Sequence, residues 1–487
     1  MYLGIDLGTS AVKAVLVDDA GDLIGQADAP LEVSRPHPLW SEQDPADWWD
    51  AVNTAVNVLK EYHPVELNAV RGIGLSGQMH GATLLDSSNH PVRPAILWND
   101  GRSGDACAEL EITVPNSRAI TGNVAMPGFT APKLVWLRKH EPETFAKVTK
   151  VLLPKDYLRL RMTNEFASDM SDSAGTLWLD VANRRWSESM LEATGLNISH
   201  MPKLYEGVEP TGNLSPDVAA RWGMHEVPVA AGGGDNAAGA VGAGVIRPGE
   251  AFLSLGTSGV YFVAGETYRS NPEGGVHAFC HCLPDTWHEM SVILSAASCL
   301  SWLTGLTGAA NEGALLLEAE KNFDGCGPEG LVFLPYLSGE RTPHNNPHAK
   351  GAFFGMTHET ARDSLCQAVI EGVAFAFADG QQALEDAGSV INDVSVIGGG
   401  SRSIYWGRVL AAVLGRPLTF REEAAVGPAF GAARLARLCV TNESPETVCT
   451  APPVQDSIEP DDELAERLQP KLEMYRALYA DTRHLLT

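Results

Sequence analysis

Apolar residues along this chain fall into short runs broken by glycine and polar turns, interleaved with longer stretches where they recur every three or four positions. The opening run Leu3-Gly-Ile-Asp6 passes through Leu7-Gly-Thr-Ser10 into Lys13-Ala-Val-Leu-Val17. Strand, Gly-polar turn and strand predict a hairpin. Asp18-Asp-Ala-Gly21 turns the chain again, and Leu23–Leu31 completes a three-stranded meander. Asp44-Pro45 opens an amphipathic helix over Pro45–Tyr62, with proline early in its first turn. Val70–Leu75 reads as a buried strand ending in Ser76-Gly-Gln-Met-His80, and Thr83–Asp86 and Ala95–Trp98 as further strands. Strands alternating with helices, with polar strings at strand ends, predict an α/β sheet that binds ligands at those ends.

The string Leu-Gly-Thr-Ser returns at Leu255–Ser258, between Ala251-Phe-Leu-Ser254 and Val260-Tyr-Phe-Val263. The same hairpin near the start of each half predicts a duplicated domain. A chain of 487 residues divides accordingly into one domain over 1–245 and a second over 246–487, with Arg247-Pro-Gly249 as hinge. The second half repeats the plan with helices at Ser295–Leu306 and Arg362–Ala387, then the strand Val394–Ile397 entering Gly398-Gly-Gly-Ser-Arg402. The segment from Glu111 to Glu226 decorates the first domain. A Pro-rich, acidic stretch at Ala451–Asp462 separates a final charged helix, Glu463–Leu485.

Composition narrows the function. A formal charge of −26 argues against nucleic acid or an anionic membrane surface as partner, since both reward clustered Lys and Arg. No apolar stretch approaches the roughly 20 residues that cross a bilayer. The amino terminus carries no basic region before Asp6, unlike a signal peptide. Eight cysteines without paired spacing suit a reducing cytoplasm. His277, Cys280, His281 and Cys282 have spacing that hints at metal. Their strand-like alternation points neighbours to opposite faces, which favours structural thiols.

Three constellations carry chemistry. Asp6 places a carboxylate beside the Gly8-Thr-Ser10 turn, where a buried charge needs a partner or a metal. Mg²⁺ favours one or two carboxylates plus phosphate oxygens, so Asp6 is the candidate ligand; capping of its own turn is the bland alternative. Ser254 stands in the second copy where Asp6 stands in the first, leaving that hairpin to hold phosphate through backbone and hydroxyls. Asp235 follows Gly232-Gly-Gly234 where a helix begins, placed either to accept a hydroxyl proton or simply as a helix cap. Gly398-Gly-Gly400 with Ser401, Arg402 and Ser403 again ends a strand and opens a helix, a place for nucleotide phosphates or ribose. Gln78, Met79 and His80 end one strand, and Trp98, Asn99, Asp100 and Arg102 end another. Amides, an imidazole and a carboxylate match a polyol's hydroxyls, while an indole can lie on its C–H face.

Together these residues resemble the FGGY carbohydrate kinases, in the superfamily that also holds actin and the heat-shock chaperone ATPases. The carriers are Gly4-Ile-Asp-Leu-Gly-Thr-Ser10, Gly256-Thr-Ser258, Ile397-Gly-Gly-Gly-Ser-Arg402, Gly128-Phe-Thr-Ala-Pro-Lys-Leu-Val-Trp136, and Gly351-Ala-Phe-Phe-Gly-Met356 with Ala368-Val-Ile-Glu371. The resemblance implies two ribonuclease-H-like, actin-like α/β domains with ATP and a sugar in the cleft between them. Ser76-Gly-Gln-Met-His-Gly81, Leu97-Trp-Asn-Asp-Gly-Arg102 and Gly232-Gly-Gly-Asp-Asn236 are most similar to members that phosphorylate D-xylulose at O5. It further implies Asp235 as general base, with Met79, His80 and Asn236 at the sugar. ATP would meet Gly8, Thr9, Ser10, Lys13, Gly256, Thr257, Gly399, Gly400 and Ser403, and Mg²⁺ would meet Asp6. A homodimer is common in the family. Kinases of another ketose or polyol, such as ribulose or gluconate, stay open, as does a non-kinase ATP-binding module.

Overall fold

The computed structural model of the protein describes residues 1–422 and 427–485. Two seven-stranded mixed sheets dominate it, one in each half of the chain. In the first, Tyr2–Leu7 pairs antiparallel with Ala11–Val17, which pairs antiparallel with Leu23–Pro30. On its other side Tyr2–Leu7 runs parallel to Gly72–Gly77, and Pro228–Ala230 lies parallel beyond that. The second sheet repeats this order. Glu250–Leu255 pairs antiparallel with Gly259–Gly265, and that strand with Trp287–Ile293. On the other side Asp393–Ile397 and then Leu418–Arg421 run parallel to it. The hairpin strings thus occupy equivalent corners of two copies of one sheet.

Local sequence explains the flanking helices. Pro45–Tyr62 is capped by the Asp44 carboxylate, which accepts from the Ala46 amide at 2.9 Å. Trp48, Trp49, Val52, Val56 and Leu59, at helical spacing, are buried against the first sheet's core. The final helix, Asp462–Thr482, buries Leu464, Leu468, Leu472, Tyr475 and Tyr479 along one face in the second core. Arg362–Asp386 is buried along nearly its whole length there.

Four elements depart from the sequence reading. Thr83–Leu85 and Ala95–Ile96 pair outside the main sheet, with Lys150–Leu152 and Glu42–Gln43. The Ala451–Asp462 stretch is more than a separator, because Val454–Ile458 forms the outer strand of the second sheet beside Leu418–Arg421. A polar sequence serves there because an edge strand needs only its backbone on one side. The helix Pro428–Thr441 belongs to the second half in sequence yet packs on Tyr2–Leu7, Gly72–Gly77 and the helix Asp235–Ala243. Glycine allows that approach: a methyl group at Gly74 would stand 1.8 Å from the Ala432 carbonyl oxygen, and one at Gly431 1.8 Å from that of Ala238. Arg434 fastens the contact by donating to the carbonyl oxygens of Val241 and Thr450 at 2.8 and 2.7 Å.

Candidate active site

Asp235 reaches its position through a chain reversal only glycine permits. Gly232 has φ +77, and a Cβ there would lie 1.9 Å from the Leu75 carbonyl oxygen. Asp235 then becomes the first residue of the helix Asp235–Ala243. Its Oδ1 accepts from the backbone N and the Nδ2 of Asn236 at 2.7 and 2.9 Å. Burial pushes its pKa up to about 6, against the lowering pull of both Asn236 bonds.

Below the Gly run lies a buried ionic cluster. Lys155 Nζ stands 2.7 Å from both Asp156 and Asp169 and 3.2 Å from Asp172, and none of these side chains is exposed to solvent. Burial alone would lower the Lys155 pKa, but the three carboxylates outweigh it and hold it above the ordinary lysine value. Burial raises Asp172 well above the usual carboxylate range, Lys155 opposing and Asp169 and Asp156 adding to it. Two ties lead from the cluster to the loop that carries Asp235. Arg159 donates to the carbonyl oxygen of Ala230 at 2.8 Å and to that of Ala231. Ser171 Oγ, itself donating to Asp169, accepts from the Gly234 amide at 3.1 Å.

A cavity of about 260 Å³ opens in front of Asp235. This is below the roughly 300–1,000 Å³ of drug-sized pockets and suits one compact solute. Met79, His80, Trp98 and Asn236 line it, as the sequence reading expects. His80 adopts the left-handed φ of 68°, uncommon for a side-chain-bearing residue. Its carbonyl oxygen is held by Lys133 Nζ at 2.8 Å and Thr130 Oγ1 at 3.1 Å, both from the Gly128–Trp136 string. Its Nδ1 lies 2.6 Å from the Gly175 carbonyl oxygen; a carbonyl only accepts, so Nδ1 carries the proton and Nε2 is an acceptor. Burial pushes the His80 pKa down to about 3, the Gly175 bond opposing, so the ring is neutral.

Four expected sugar contacts lie elsewhere. Gln78 turns away from the cavity: it accepts from Thr9 Oγ1 at 3.0 Å and donates to Gln43 at 3.0 Å, tying the first hairpin to the neighbouring strand end. Asp100 accepts from the Ser41 amide at 2.6 Å and from Arg102. Arg102 also pairs with Glu42 at 2.7 Å and stacks on Trp40 at 3.6 Å, so both charges are consumed in a buried cluster. Asn99 is exposed on a separate hollow beside Arg35–Ser41.

The second half supplies the cavity's other wall: Ser258, His277, Phe279 and Arg341, with Met126 and Phe129 from the first half. Their place at this cavity escaped the sequence reading, although Ser258 and Phe129 stand in two of the family-like strings and His277 had drawn notice with Cys280, His281 and Cys282. Cys280, His281 and Cys282 are fully buried, and no group of three or more His, Cys, Asp or Glu suited to a metal assembles among the described residues.

Asp6 lies opposite Lys13 and beside Ser76 in the sheet. Its Oδ1 is buried and has no hydrogen-bond partner. Burial and then the charge of Asp235 push its pKa up to about 7. Thr9 next to it accepts from Trp98 Nε1 at 2.9 Å. At the second hairpin the Gly256 and Thr257 carbonyls accept from Ala297 and Ala296 at 2.8 and 3.0 Å, fixing the turn. A larger cavity, about 970 Å³, extends from Gly399, Gly400 and Ser403 to the apolar wall of Leu300, Leu316 and Leu317. Ser403 also caps the helix Ile404–Leu414 by accepting from the Trp406 amide at 3.2 Å.

Two domains sharing one sheet order, a small cavity lined by both halves and a larger one in the second half, are matched by known proteins along the chain. Residues 1–242 match the N-terminal domain of the FGGY family of carbohydrate kinases, and residues 251–438 its C-terminal domain. The chain belongs to the FGGY family of carbohydrate kinases. This kinase is 55% identical to a xylulose kinase of Escherichia coli (strain K12), over 98% of each chain. It is 52% identical to one of Klebsiella pneumoniae over the full length of both. A solved structure described as a xyloylose kinase from Brucella ovis superposes with a TM-score of 0.96, at 52% identity and 99% coverage of each chain. No described helix of this FGGY kinase is long and apolar enough to cross a membrane.

Proposed function

We propose that this carbohydrate kinase transfers the γ-phosphoryl group of ATP to the O5 hydroxyl of D-xylulose, with Asp235 as general base. The observation that carries the reading is the Asp235 carboxylate, its pKa near 6, facing a monosaccharide-sized cavity lined by both halves of the chain. The full-length xylulose kinase relatives support the choice of sugar. As the hydroxyl oxygen bonds to phosphorus, its proton passes to Asp235 and the bond to the β-phosphate oxygen breaks, releasing ADP. His80 Nε2 and Asn236 Oδ1 accept from other hydroxyls of the sugar. In this reading ATP lies along Gly8–Ser10, Lys13, Gly256 and Thr257, with its nucleoside in the larger cavity at Gly399, Gly400 and Ser403. The eight unpaired cysteines suit the cytoplasm.

The residues fit Mg²⁺ as well. Asp6 presents a buried carboxylate oxygen that no protein group satisfies, and a single carboxylate with phosphate oxygens is an ordinary magnesium environment. Magnesium supplies charge neutralisation on the phosphates when bound. Without it, Asp6 binds its proton up to about pH 7 in the folded chain, against 3.8 as the ordinary value, so stability falls as pH rises between the two. Asp6→Asn should therefore stabilise the metal-free protein at pH 8 by on the order of 1 kcal/mol. It should also raise the Mg²⁺ concentration needed for half-maximal rate. Thermal melts and a magnesium titration measure the two effects, and a variant destabilised at pH 8 with an unaltered titration would refute the assignment.

The choice of sugar is tested with a substrate panel. D-Xylulose, D-ribulose, L-ribulose, gluconate and glycerol are offered with MgATP and ADP release is followed. The expected result is the highest kcat/KM for D-xylulose and a 5-phosphate product by ³¹P NMR; a higher value for any other acceptor overturns the choice.

A further inference from the structure

Arg341 enters the small cavity from the second half of the chain, in Ser338-Gly-Glu-Arg-Thr-Pro343, whereas Asp235 and His80 come from the first. The hydrogen-bond polarity behind it is determined link by link. Asn123 commits its amide N–H groups to the carbonyl oxygens of Thr121 and Ala278, at 2.8 and 3.0 Å. Its Oδ1 is therefore the acceptor facing His277 Nδ1 at 2.9 Å, and the His277 proton sits on Nδ1. His277 Nε2 is left with a lone pair and accepts from Arg341 at 3.3 Å. One N–H of the guanidinium is tethered in this way, which leaves the rest of its five-donor fork for the cavity. Burial keeps His277 neutral by lowering its pKa well below the ordinary value, Arg341 adding to the effect.

Among the other polar groups of the cavity, Asp235 and His80 accept, while the Ser258 hydroxyl and the second Nδ2 N–H of Asn236 are uncharged donors. Asp235 is a carboxylate and His80 offers Nε2. Asn236 gives an N–H to Asp235 at 2.9 Å, and Trp98 gives its N–H to Thr9 at 2.9 Å. Arg341 is the sole cation among the described residues that line the cavity. Sugar hydroxyls can donate to all these acceptors. A ketone oxygen can only accept, and an acyclic ketose carries one such oxygen.

We infer that Arg341 reads the carbonyl oxygen of an acyclic ketose, so that the cavity selects a keto sugar over the polyols formed by reducing it. This inference rests on the ketose-kinase reading above. It makes Arg341 a specificity residue, held in aim by His277 and Asn123. A site built to hydrogen-bond one substrate oxygen disfavours an analogue that presents a different group there.

The test compares kcat/KM for D-xylulose with that for its reduction products, xylitol and D-arabinitol, in wild type and Arg341→Gln. Polyols that turn over slowly are measured as competitive inhibitors instead. Loss of a charged donor should lower the D-xylulose value on the order of 10- to 100-fold. The polyols should change by about threefold or less, so the ketose-to-polyol ratio collapses. Arg341→Lys keeps the cation but gives up the planar fork, and it carries the same comparison, with a smaller fall, should the Gln variant not fold. Equal losses for ketose and polyol would overturn the inference and assign Arg341 to the transferred phosphoryl group or to packing. Wild-type turnover of D-xylulose tests the substrate reading separately. If another ketose is preferred, that ketose and its own polyols decide the role of Arg341.

Discussion

Asp235→Asn is expected to lower kcat by about 10²- to 10⁴-fold while MgATP and sugar still bind, the range in which a single general base contributes. The substitution is close to isosteric. Its remaining Oδ1 can still accept from the backbone N and Nδ2 of Asn236, so the helix start and the cavity wall keep their shape. What disappears is the ability to take the proton of the attacking hydroxyl. Positioning of two substrates and electrostatic stabilisation of the phosphoryl group survive, which sets a floor under the residual rate.

The pH profile separates loss of a base from loss of shape. With a pKa of about 6, the wild-type carboxylate is ionised and competent at pH 8 and progressively protonated below 6. The acid form cannot accept a proton, so kcat/KM should fall about tenfold per pH unit on that limb. In Asp235→Asn the limb should vanish, leaving a low, flat profile. Asp6 gives a companion signal: the Asp235 charge helps to raise its pKa, so removing that charge should bring Asp6 down toward the ordinary range. An unchanged kcat would refute the base assignment, and loss of sugar binding along with kcat would recast Asp235 as a binding residue.

How much of this site was readable in the chain depended on whether a residue's partners were local. The two hairpins, the helix over Pro45–Tyr62 and the Gly runs rest on neighbours in sequence, and their signals sit in short strings. Met79 and His80 were legible as a strand-end pair, but Gln78 was not separable from them. Its direction is set by Gln43 and Thr9, on other elements. Asp100 and Arg102 look like free polar groups in a string, and their neutralisation depends on Glu42 and Trp40. Arg341 shows the converse. Its segment carries no pattern that announces a ligand, and it gains its role from the packing of the second domain across the cavity mouth.

Lys155→Met carries the other large expected effect, a loss of about 3–5 kcal/mol of folding stability, because one partner of a buried ionic cluster is removed and the rest stay behind. Asp156, Asp169 and Asp172 would then share Arg159, which stands 3.5 Å from Asp156 and is already engaged by Thr211, Ala230 and Ala231. The carboxylates could relieve the strain only by binding protons, so their folded pKa values should rise in the variant. Stability should accordingly drop as pH increases, with the deficit against wild type larger at pH 8 than at pH 5 in urea titrations. A pH-independent deficit would mean lost packing instead of uncompensated charge. The same cluster bears on catalysis through Ser171, which joins Asp169 to the Gly234 amide just ahead of Asp235. Ser171→Ala removes that tie and leaves all the charges paired, at a stability cost of about 1 kcal/mol. A fall in kcat larger than the change in KM, with the pH limb of Asp235 displaced, would show that the cluster positions the base; unchanged kinetics would confine it to holding the first domain together.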